Sequence, residues 1–290
     1  MKRVFLSLVS LGVLAGAVAL FLGSTAPVAG EEELSLTRQD GKAVPAVAYA
    51  PSGPACQGVA IISHGAGGSE SGLEYLGAAM SGRGYLAVVV GHKESGRSAV
   101  RERMSGFDMR GALAKLITDP SAYRARFMDI AVAKSWAQGK CSGTRSVLLG
   151  HSMGAATVMM EAGAHNKLGL SGADAFDAYV ALSPQGAGSI FPADAWSGIR
   201  KPVLTLTGTE DSELGGASWT TRTEPFRNMP AGCKWLGIID GATHMNLAGI
   251  GFSGDAQDLA TGTITAFLDG VVRGDCGAPA KREGITIETR

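Results

Sequence analysis

The chain has 290 residues, of which 45% are hydrophobic and 18% charged, and its formal net charge at pH 7 is zero. This balance is typical of a globular core and excludes an intrinsically disordered chain. Because the chain is neutral overall and contains no basic run, we expect no nucleic-acid partner. The length allows one large α/β domain or two small domains.

The first thirty residues have a composition of their own. Met1-Lys2-Arg3 is positive, residues 4–22 are apolar apart from two serines, and small residues follow. This pattern predicts an export signal over residues 1–30, cleaved near Ala29 or Gly30. The alternative is an uncleaved membrane anchor, because about 19 apolar residues can span a bilayer. In both cases we expect the rest of the chain outside the cytoplasm: secreted or periplasmic if cleaved, membrane-bound and facing outward if anchored.

Short apolar runs alternate with helical stretches along the rest of the chain. Asp40-Gly41 lies between two alternating runs and predicts a hairpin. Residues 92–121 are polar, and we expect them to be irregular. The predicted strands are Leu34–Arg38, Ala43–Tyr49, Val59–Ser63, Tyr85–Val90, Ser146–Leu149, Ala178–Leu182, Val203–Thr207 and Lys234–Ile239. The predicted helices include Leu73–Arg83, Phe127–Gln138 and Ala256–Val272.

This alternation predicts an α/β fold, with a mostly parallel twisted sheet and helices on both faces. Few residues separate Ala178–Leu182 from Val203–Thr207, which leaves no room there for a large lid domain. We therefore expect one domain over residues 31–277. A C-terminal tail, 278–290, follows, and Ile285–Ile287 within it is a candidate edge strand.

One motif in the chain points to nucleophilic chemistry. Gly150-His151-Ser152-Met153-Gly154 follows the predicted strand Ser146–Leu149 and leads into small residues that tolerate a helix. G-x-S-x-G between a strand and a helix is the pattern of a nucleophile elbow, a sharp turn that exposes the serine hydroxyl above the sheet. The motif predicts Ser152 as a nucleophile.

A serine hydroxyl is a weak nucleophile and needs a neighbouring base. Three histidines lie near strand ends: His64, His151 and His244. His151 is adjacent to Ser152 in the chain, so its side chain points elsewhere, and His64 precedes a glycine-rich loop. His244 follows the last predicted strand of the domain at the edge where the elbow also lies. We predict His244 as the base.

The base in turn needs an acid that orients it, and that acid should follow a strand between the nucleophile and the base. The strand Val203–Thr207 leads into Gly208-Thr209-Glu210-Asp211-Ser212. Asp211 is the best candidate, with Glu210 and Glu213 as local alternatives.

An oxyanion needs backbone N–H donors aimed at it. Met153, directly after the nucleophile, can supply one. The loop His64-Gly65-Ala66-Gly67-Gly68 can supply the other from Ala66, because its glycines let the backbone approach a ligand closely. The loop lacks the lysine of a phosphate-binding loop and the spacing of a dinucleotide fingerprint.

Four segments together resemble the α/β-hydrolase family over about residues 33–275: Ser63–Ser69, Gly150–Gly154, Ser183-Pro184-Gln185-Gly186 and Gly208–Asp211. More narrowly, the chain resembles dienelactone-hydrolase-like and platelet-activating-factor-acetylhydrolase-like proteins and cutinase-type serine esterases. The resemblance implies an α/β-hydrolase fold, a triad of Ser152, Asp211 and His244, and oxyanion donors at Ala66 and Met153.

Two departures narrow this resemblance. Dienelactone hydrolases use cysteine where this chain has Ser152. Polyesterases carry aromatic residues where this chain has Gly186-Ala187-Gly188 and Ala66, which argues against a polymer substrate.

We therefore expect an exported serine esterase that hydrolyses small, short-chain carboxylic esters through an acyl-enzyme, as a monomer and without metal or cofactor. Substrate contacts are expected at Gly65, His151, Gln185 and Trp219. The alternatives on the same triad are a lipase-like acetylhydrolase, a thioesterase or a polyesterase. A catalytically silent binding protein with this fold is the alternative from another class.

The four cysteines are an even number in a chain with an export signal, so disulfides are possible. In the expected fold Cys56 and Cys141 each precede one of two neighbouring parallel strands, and Cys233 and Cys276 meet at the same edge. We predict the pairs Cys56–Cys141 and Cys233–Cys276, with free buried thiols as the alternative.

Overall fold

The computed structural model of the chain describes residues 30–251 and 254–290. Residues 1–29 of the predicted export signal lie outside the described residues, so the choice between signal and anchor stays a prediction. Among the helices of the described residues, none has the length and apolar character needed to cross a bilayer.

The strands of the described residues form a single sheet. Their bounds are β1 Glu31–Thr37, β2 Ala43–Tyr49, β3 Gly58–Ser63, β4 Tyr85–Val90, β5 Arg145–His151, β6 Ala178–Leu182, β7 Val203–Glu210, β8 Lys234–Thr243 and β9 Ile285–Thr289. The spatial order is β1-β2-β4-β3-β5-β6-β7-β8-β9. The strands from β4 to β8 in this order pair in parallel, whereas β1, β2 and β9 are antiparallel to their neighbours.

Helices cover both faces of this sheet. They are α1 Glu74–Gly82, α2 Arg97–Arg103, α3 Met109–Ile117, α4 Pro120–Lys140, α5 Met153–Glu161, α6 Glu224–Asn228, α7 His244–Leu247 and α8 Gly254–Arg273. Successive strand residues point to opposite faces. In β3, Ile61 therefore joins the core beneath α4 and α5, whereas Ile62 joins the core beneath α1 and α8. A strand buried on both faces in this way explains the continuous apolar runs of the sequence.

The prediction that residues 92–121 are irregular is wrong. They form a 3-10 helix, Lys93–Ser95, followed by α2, α3 and the start of α4. Helices α2 and α3 bury only two side chains each, so neither has a wide apolar stripe in the sequence. Capping residues are a signal that the sequence does contain: Asp108 caps α3 by accepting a hydrogen bond from the Gly111 N–H at 2.8 Å, and Asp119 caps α4 by accepting one from the Ser121 N–H at 2.9 Å.

Both predicted disulfides are confirmed, at the edge of the sheet opposite the carboxyl ends of the parallel strands. The Cα atoms are 5.8 Å apart in Cys56–Cys141 and 5.2 Å apart in Cys233–Cys276. The candidate edge strand is also confirmed, because Ile285–Thr289 pairs with β8 and brings the predicted tail into the sheet.

Candidate active site

Ser152 lies at the sharp turn between β5 and α5. Its backbone has φ +55° and ψ −116°, a conformation that a side-chain-bearing residue rarely adopts and that stores strain. The glycines on either side are required by close packing. A Cβ at Gly154 would overlap the Ser63 carbonyl oxygen, and a Cβ at Gly150 would overlap the backbone of Gly154. The motif therefore forms the predicted elbow.

Asp211 and His244 meet beyond the carboxyl ends of β7 and β8. His244 Nδ1 lies 2.8 Å from Asp211 Oδ1, and Thr207 donates its hydroxyl to Asp211 Oδ2 at 3.0 Å. The Asp211 side chain is fully buried, whereas the His244 side chain is 32% exposed. A buried carboxylate thus fixes one nitrogen of a ring whose other side reaches the surface. Within the described residues the Ser152 hydroxyl makes no hydrogen bond to this ring.

His151 links the elbow to His244. Its ring lies 4.6 Å from the His244 ring, centroid to centroid, and its Nε2 donates to the His244 carbonyl oxygen at 3.1 Å. Burial lowers the pKa of His151 well below its usual value, so the ring is neutral. His151 therefore supports His244. Because His151 is only 3% exposed, it has little surface for the predicted substrate contact.

The two alternative acids lie elsewhere. Glu210 is exposed. Glu213 Oε1 accepts hydrogen bonds from the Gly186 N–H at 3.1 Å and from the Thr221 hydroxyl at 2.8 Å. Glu213 therefore holds the loop after β6, and of these three carboxylates only Asp211 contacts the His244 imidazole.

Arg222 is a residue of the site that sequence reasoning missed. Its Nε lies 2.9 Å from Asp211 Oδ1, and its Nη2 lies 3.2 Å from His244 Nδ1. The guanidinium also donates to four backbone carbonyls, those of Ser183, Pro184, Asp211 and Ser212. It lies in a short 3-10 helix, Trp219–Thr223, in which no sequence pattern distinguishes it. One buried cation thus binds both the loop after β7 that carries Asp211, residues 211–218 (the acid loop), and the loop after β6.

Ala66 and Met153 are the two predicted oxyanion donors. Within the described residues, the Ala66 and Met153 N–H groups donate to no protein acceptor. Gly65 packs against Ser152, because a Cβ at this position would lie 3.2 Å from the Ser152 Cβ. A larger residue at 65 would therefore crowd the serine.

The remaining predicted contacts lie around this site. Gln185 is half-buried, and its Oε1 is buried without a hydrogen-bond partner among the described residues. Trp219 is half-buried at the start of the 3-10 helix that carries Arg222.

The segment of α2 and α3 borders the site on two sides. The Ser95 carbonyl, just before α2, accepts a hydrogen bond at 2.8 Å from the Gly67 N–H in the loop 64–68 that is predicted to hold an oxyanion donor (the oxyanion loop). Arg110, in α3, donates from Nε to the Leu214 carbonyl of the acid loop at 2.8 Å. Large apolar side chains are exposed at five positions: Phe107 and Met109 in this segment, Leu214 after β7, Met245 in α7 and Ile250 after α7. Among the described residues, no group of three or more His, Cys, Asp or Glu side chains could hold a metal ion.

Comparison with known proteins agrees with this architecture. No protein-family model matches the chain, and no curated protein matches it. A cold-adapted esterase from an Arctic intertidal metagenomic library is 18% identical, with a TM-score of 0.60 over 85% of this chain and 97% of that one. An α/β serine hydrolase without a lid from Xanthomonas campestris is 17% identical, with a TM-score of 0.56 over 87% and 98%. A dienelactone hydrolase from Anabaena variabilis is 16% identical, with a TM-score of 0.53 over 82% and 96%.

These neighbours and the sheet order identify the class of protein. The chain has the α/β-hydrolase fold, as the sequence motifs predict, and its described residues contain no large lid domain.

Proposed function

We propose that the chain is an exported serine hydrolase that cleaves short-chain carboxylic esters through an acyl-enzyme. The observation that carries the proposal is the buried Asp211, 2.8 Å from the His244 imidazole, beside a serine on a strained elbow. The N–H groups of Ala66 and Met153, which have no acceptor in the described part of the chain, would supply the oxyanion donors that acyl transfer needs.

In the proposed reaction Ser152 Oγ attacks the ester carbonyl while His244 takes the hydroxyl proton. The Ala66 and Met153 N–H groups stabilise the resulting oxyanion. The tetrahedral intermediate then expels the alcohol, which receives the proton from His244. A water molecule activated by the same imidazole attacks the acyl-enzyme and releases the acid. Asp211 keeps the ring oriented and stabilises its positive form throughout.

The preference for short acyl groups rests on the residues around Ser152. Gly65, Ala66 and the loop Gly186-Ala187-Gly188 are small, and Trp219 is the one large aromatic residue proposed to line the site. Small residues bury few methylenes of a substrate, each worth about 0.8 kcal/mol.

Export is supported by the sequence of residues 1–30 and, more weakly, by the two disulfides, which persist in oxidising compartments.

The nucleophile is tested by Ser152→Ala, measured with p-nitrophenyl acetate and butyrate. We expect normal folding and a fall in kcat of about 10⁴-fold or more, because triad members act as a unit. Ser142→Ala, at an exposed serine, is the matched control and should leave kcat unchanged. A Ser152→Ala variant that kept about a tenth of wild-type kcat would exclude this nucleophile.

Substrate class is tested with p-nitrophenyl esters of increasing acyl length. We expect kcat/KM to be highest between about two and six carbons and to fall thereafter, since the small residues around Ser152 bury few added methylenes. A kcat/KM that still rose beyond about ten carbons would favour a lipase-like hydrolase instead. If wild-type protein hydrolysed no ester and reacted with no fluorophosphonate, the fold would serve binding rather than catalysis.

A further inference from the structure

Beneath the oxyanion loop lies a cluster of buried polar side chains that the proposed reaction does not use. His64 is 2% exposed and Arg126 is fully buried. Both contact the peptide group between Gly65 and Ala66, whose N–H is the proposed oxyanion donor. The role that we infer for His64 and Arg126 rests on the proposed function.

The hydrogen bonds of His64 determine which of its nitrogens carries the proton. The His92 backbone N–H donates to His64 Nε2 at 3.1 Å, so Nε2 is an acceptor. Burial and the neighbouring Arg126 lower the pKa of His64 to about 3, so the ring carries a single proton. That proton is therefore on Nδ1, which lies 2.6 Å from the Gly65 carbonyl oxygen. His64 donates to this carbonyl.

Arg126 reaches the same loop from α4. Its Nη1 donates to the His64 carbonyl at 2.7 Å, and its Nη2 reaches the Gly65 carbonyl at 3.4 Å. Its Nε donates to the Ser95 hydroxyl at 2.8 Å. The guanidinium thus binds the loop and the segment that borders it.

A second Ser–His–Asp array supports these two residues. Ser63 Oγ lies 2.9 Å from His92 Nε2, and His92 Nδ1 lies 2.9 Å from Asp129 Oδ2. Arg126 Nη1 also donates to Ser63 Oγ at 3.1 Å. Ser63 is fully buried, so no substrate reaches its hydroxyl. The array instead holds His92, whose backbone N–H holds the His64 ring.

We propose that His64 and Arg126 are positioning residues that orient and polarise the Gly65–Ala66 peptide as an oxyanion donor. The Gly65 carbonyl and the Ala66 N–H belong to the same peptide group. Donors on the carbonyl oxygen draw electron density toward it and strengthen donation by the N–H, as in other chains of hydrogen bonds. The benefit is realised when negative charge develops on the substrate oxygen, so it acts on kcat rather than on KM.

Two variants of His64 separate the donor from the acceptor. Asparagine places its amide near the position of Nδ1 and can still donate to the Gly65 carbonyl. Glutamine places its amide near Nε2, where it can accept from the His92 N–H but cannot donate to Gly65. His165→Gln, at an exposed histidine, controls for the substitution itself.

We expect His64→Gln to lower kcat about tenfold with little change in KM, since loss of a whole oxyanion donor costs about 10²–10³-fold. His64→Asn should retain at least about a third of wild-type kcat, because it keeps the donor to the Gly65 carbonyl and so loses less than a variant without that donor. Phenylboronic acid, whose adduct with Ser152 places an oxygen in the oxyanion site, should bind His64→Gln about tenfold more weakly. Equal kcat in the two His64 variants, or a loss confined to KM, would overturn the inference.

The outcome is separable from that of the proposed function. If wild-type protein hydrolyses esters and Ser152→Ala does not, while His64→Gln matches wild type, only this inference fails. Should neither His64 variant fold, nitrogen NMR of the wild-type protein decides the matter. We expect a neutral His64 ring with its proton on Nδ1 from pH 5 to pH 8. A proton on Nε2, or a doubly protonated ring at pH 5, would overturn the inference.

Discussion

Arg222 offers the sharpest test of how the acid side of the site is held together. Its side chain is 3% exposed and pairs with Asp211, whose side chain is fully buried. Replacement by methionine keeps much of the volume but removes the charge and all the donors. Asp211 would then keep only His244 and the Thr207 hydroxyl as partners.

The expected cost follows from these contacts. Removing one partner of a buried ion pair costs about 3–5 kcal/mol, because the remaining charge stays buried. The four carbonyls that Arg222 binds would also lose a donor, which places Arg222→Met near the upper part of this range. In a domain of this size that corresponds to a fall in Tm of about 10 °C or more. The kcat should fall as well, because both Asp211 and the loop after β6 lose their tether.

Thermal unfolding followed by circular dichroism, together with kcat on p-nitrophenyl butyrate, measures both effects. Arg227→Met is the matched control, since Arg227 pairs with Glu288 at the surface with side-chain exposures of 50% and 35%. Exposed pairs of this kind contribute about 0–1 kcal/mol. Arg222→Lys keeps the charge but not the planar guanidinium, so its Tm should lie between those of Arg222→Met and Arg227→Met. A Tm for Arg222→Met within about 3 °C of the control would refute the reasoning.

Three further predictions concern the elbow, the buried carboxyl and the disulfides. Gly154→Ala should destabilise the fold by about 1–3 kcal/mol or more in urea unfolding, because its Cβ would overlap the Ser63 carbonyl; Gly139→Ala, in open space in α4, should be neutral or stabilising. Burial raises the pKa of Asp129 from 3.8 to about 7. The folded protein then holds a proton that the unfolded chain releases, so this contribution to the free energy of unfolding is full below pH 3.8 and is lost as the pH rises through 7. Relative to Asp129→Asn, the free energy of unfolding of the wild-type protein should therefore fall as the pH rises, by at most about 1.4 kcal/mol per pH unit. If urea unfolding between about pH 4 and pH 7 gave the same pH dependence for both proteins, the prediction would be contradicted. The Cys56→Ser/Cys141→Ser double variant opens a loop of 85 residues and should lose about 4 kcal/mol, whereas a loss below about 1 kcal/mol would show that the crosslink is not stabilising.

The residues proposed for chemistry could be placed from the sequence because each lies where a strand ends. Buried parallel strands have a strong apolar signal, and their carboxyl ends meet at one edge of the sheet. Once Val203–Thr207 and Lys234–Ile239 were identified, the side chains of Asp211 and His244 had to lie near each other. The 2.8 Å contact between them follows from topology more than from any local motif.

The helices of residues 92–121 could not be found in the same way. Each of α2 and α3 buries two side chains, so the apolar stripe that identifies a surface helix is too narrow to recognise. Their positions depend on contacts with distant loops, as when Arg110 donates to the Leu214 carbonyl.

Arg126 and Arg222 escaped prediction for a different physical reason. Loops that carry functional groups form no ladder, so several of their carbonyls would be left unpaired when buried. An arginine offers five donors in a rigid plane and can satisfy several carbonyls at once. Arg126 does this beneath the oxyanion loop, and Arg222 does it between the acid loop and the loop after β6. The partners of such an arginine are backbone carbonyls, which every residue has. The sequence therefore contains no complementary side chain that would identify the arginine. A structure is therefore needed to find the buried arginines that bind loop carbonyls, because sequence motifs do not reveal them.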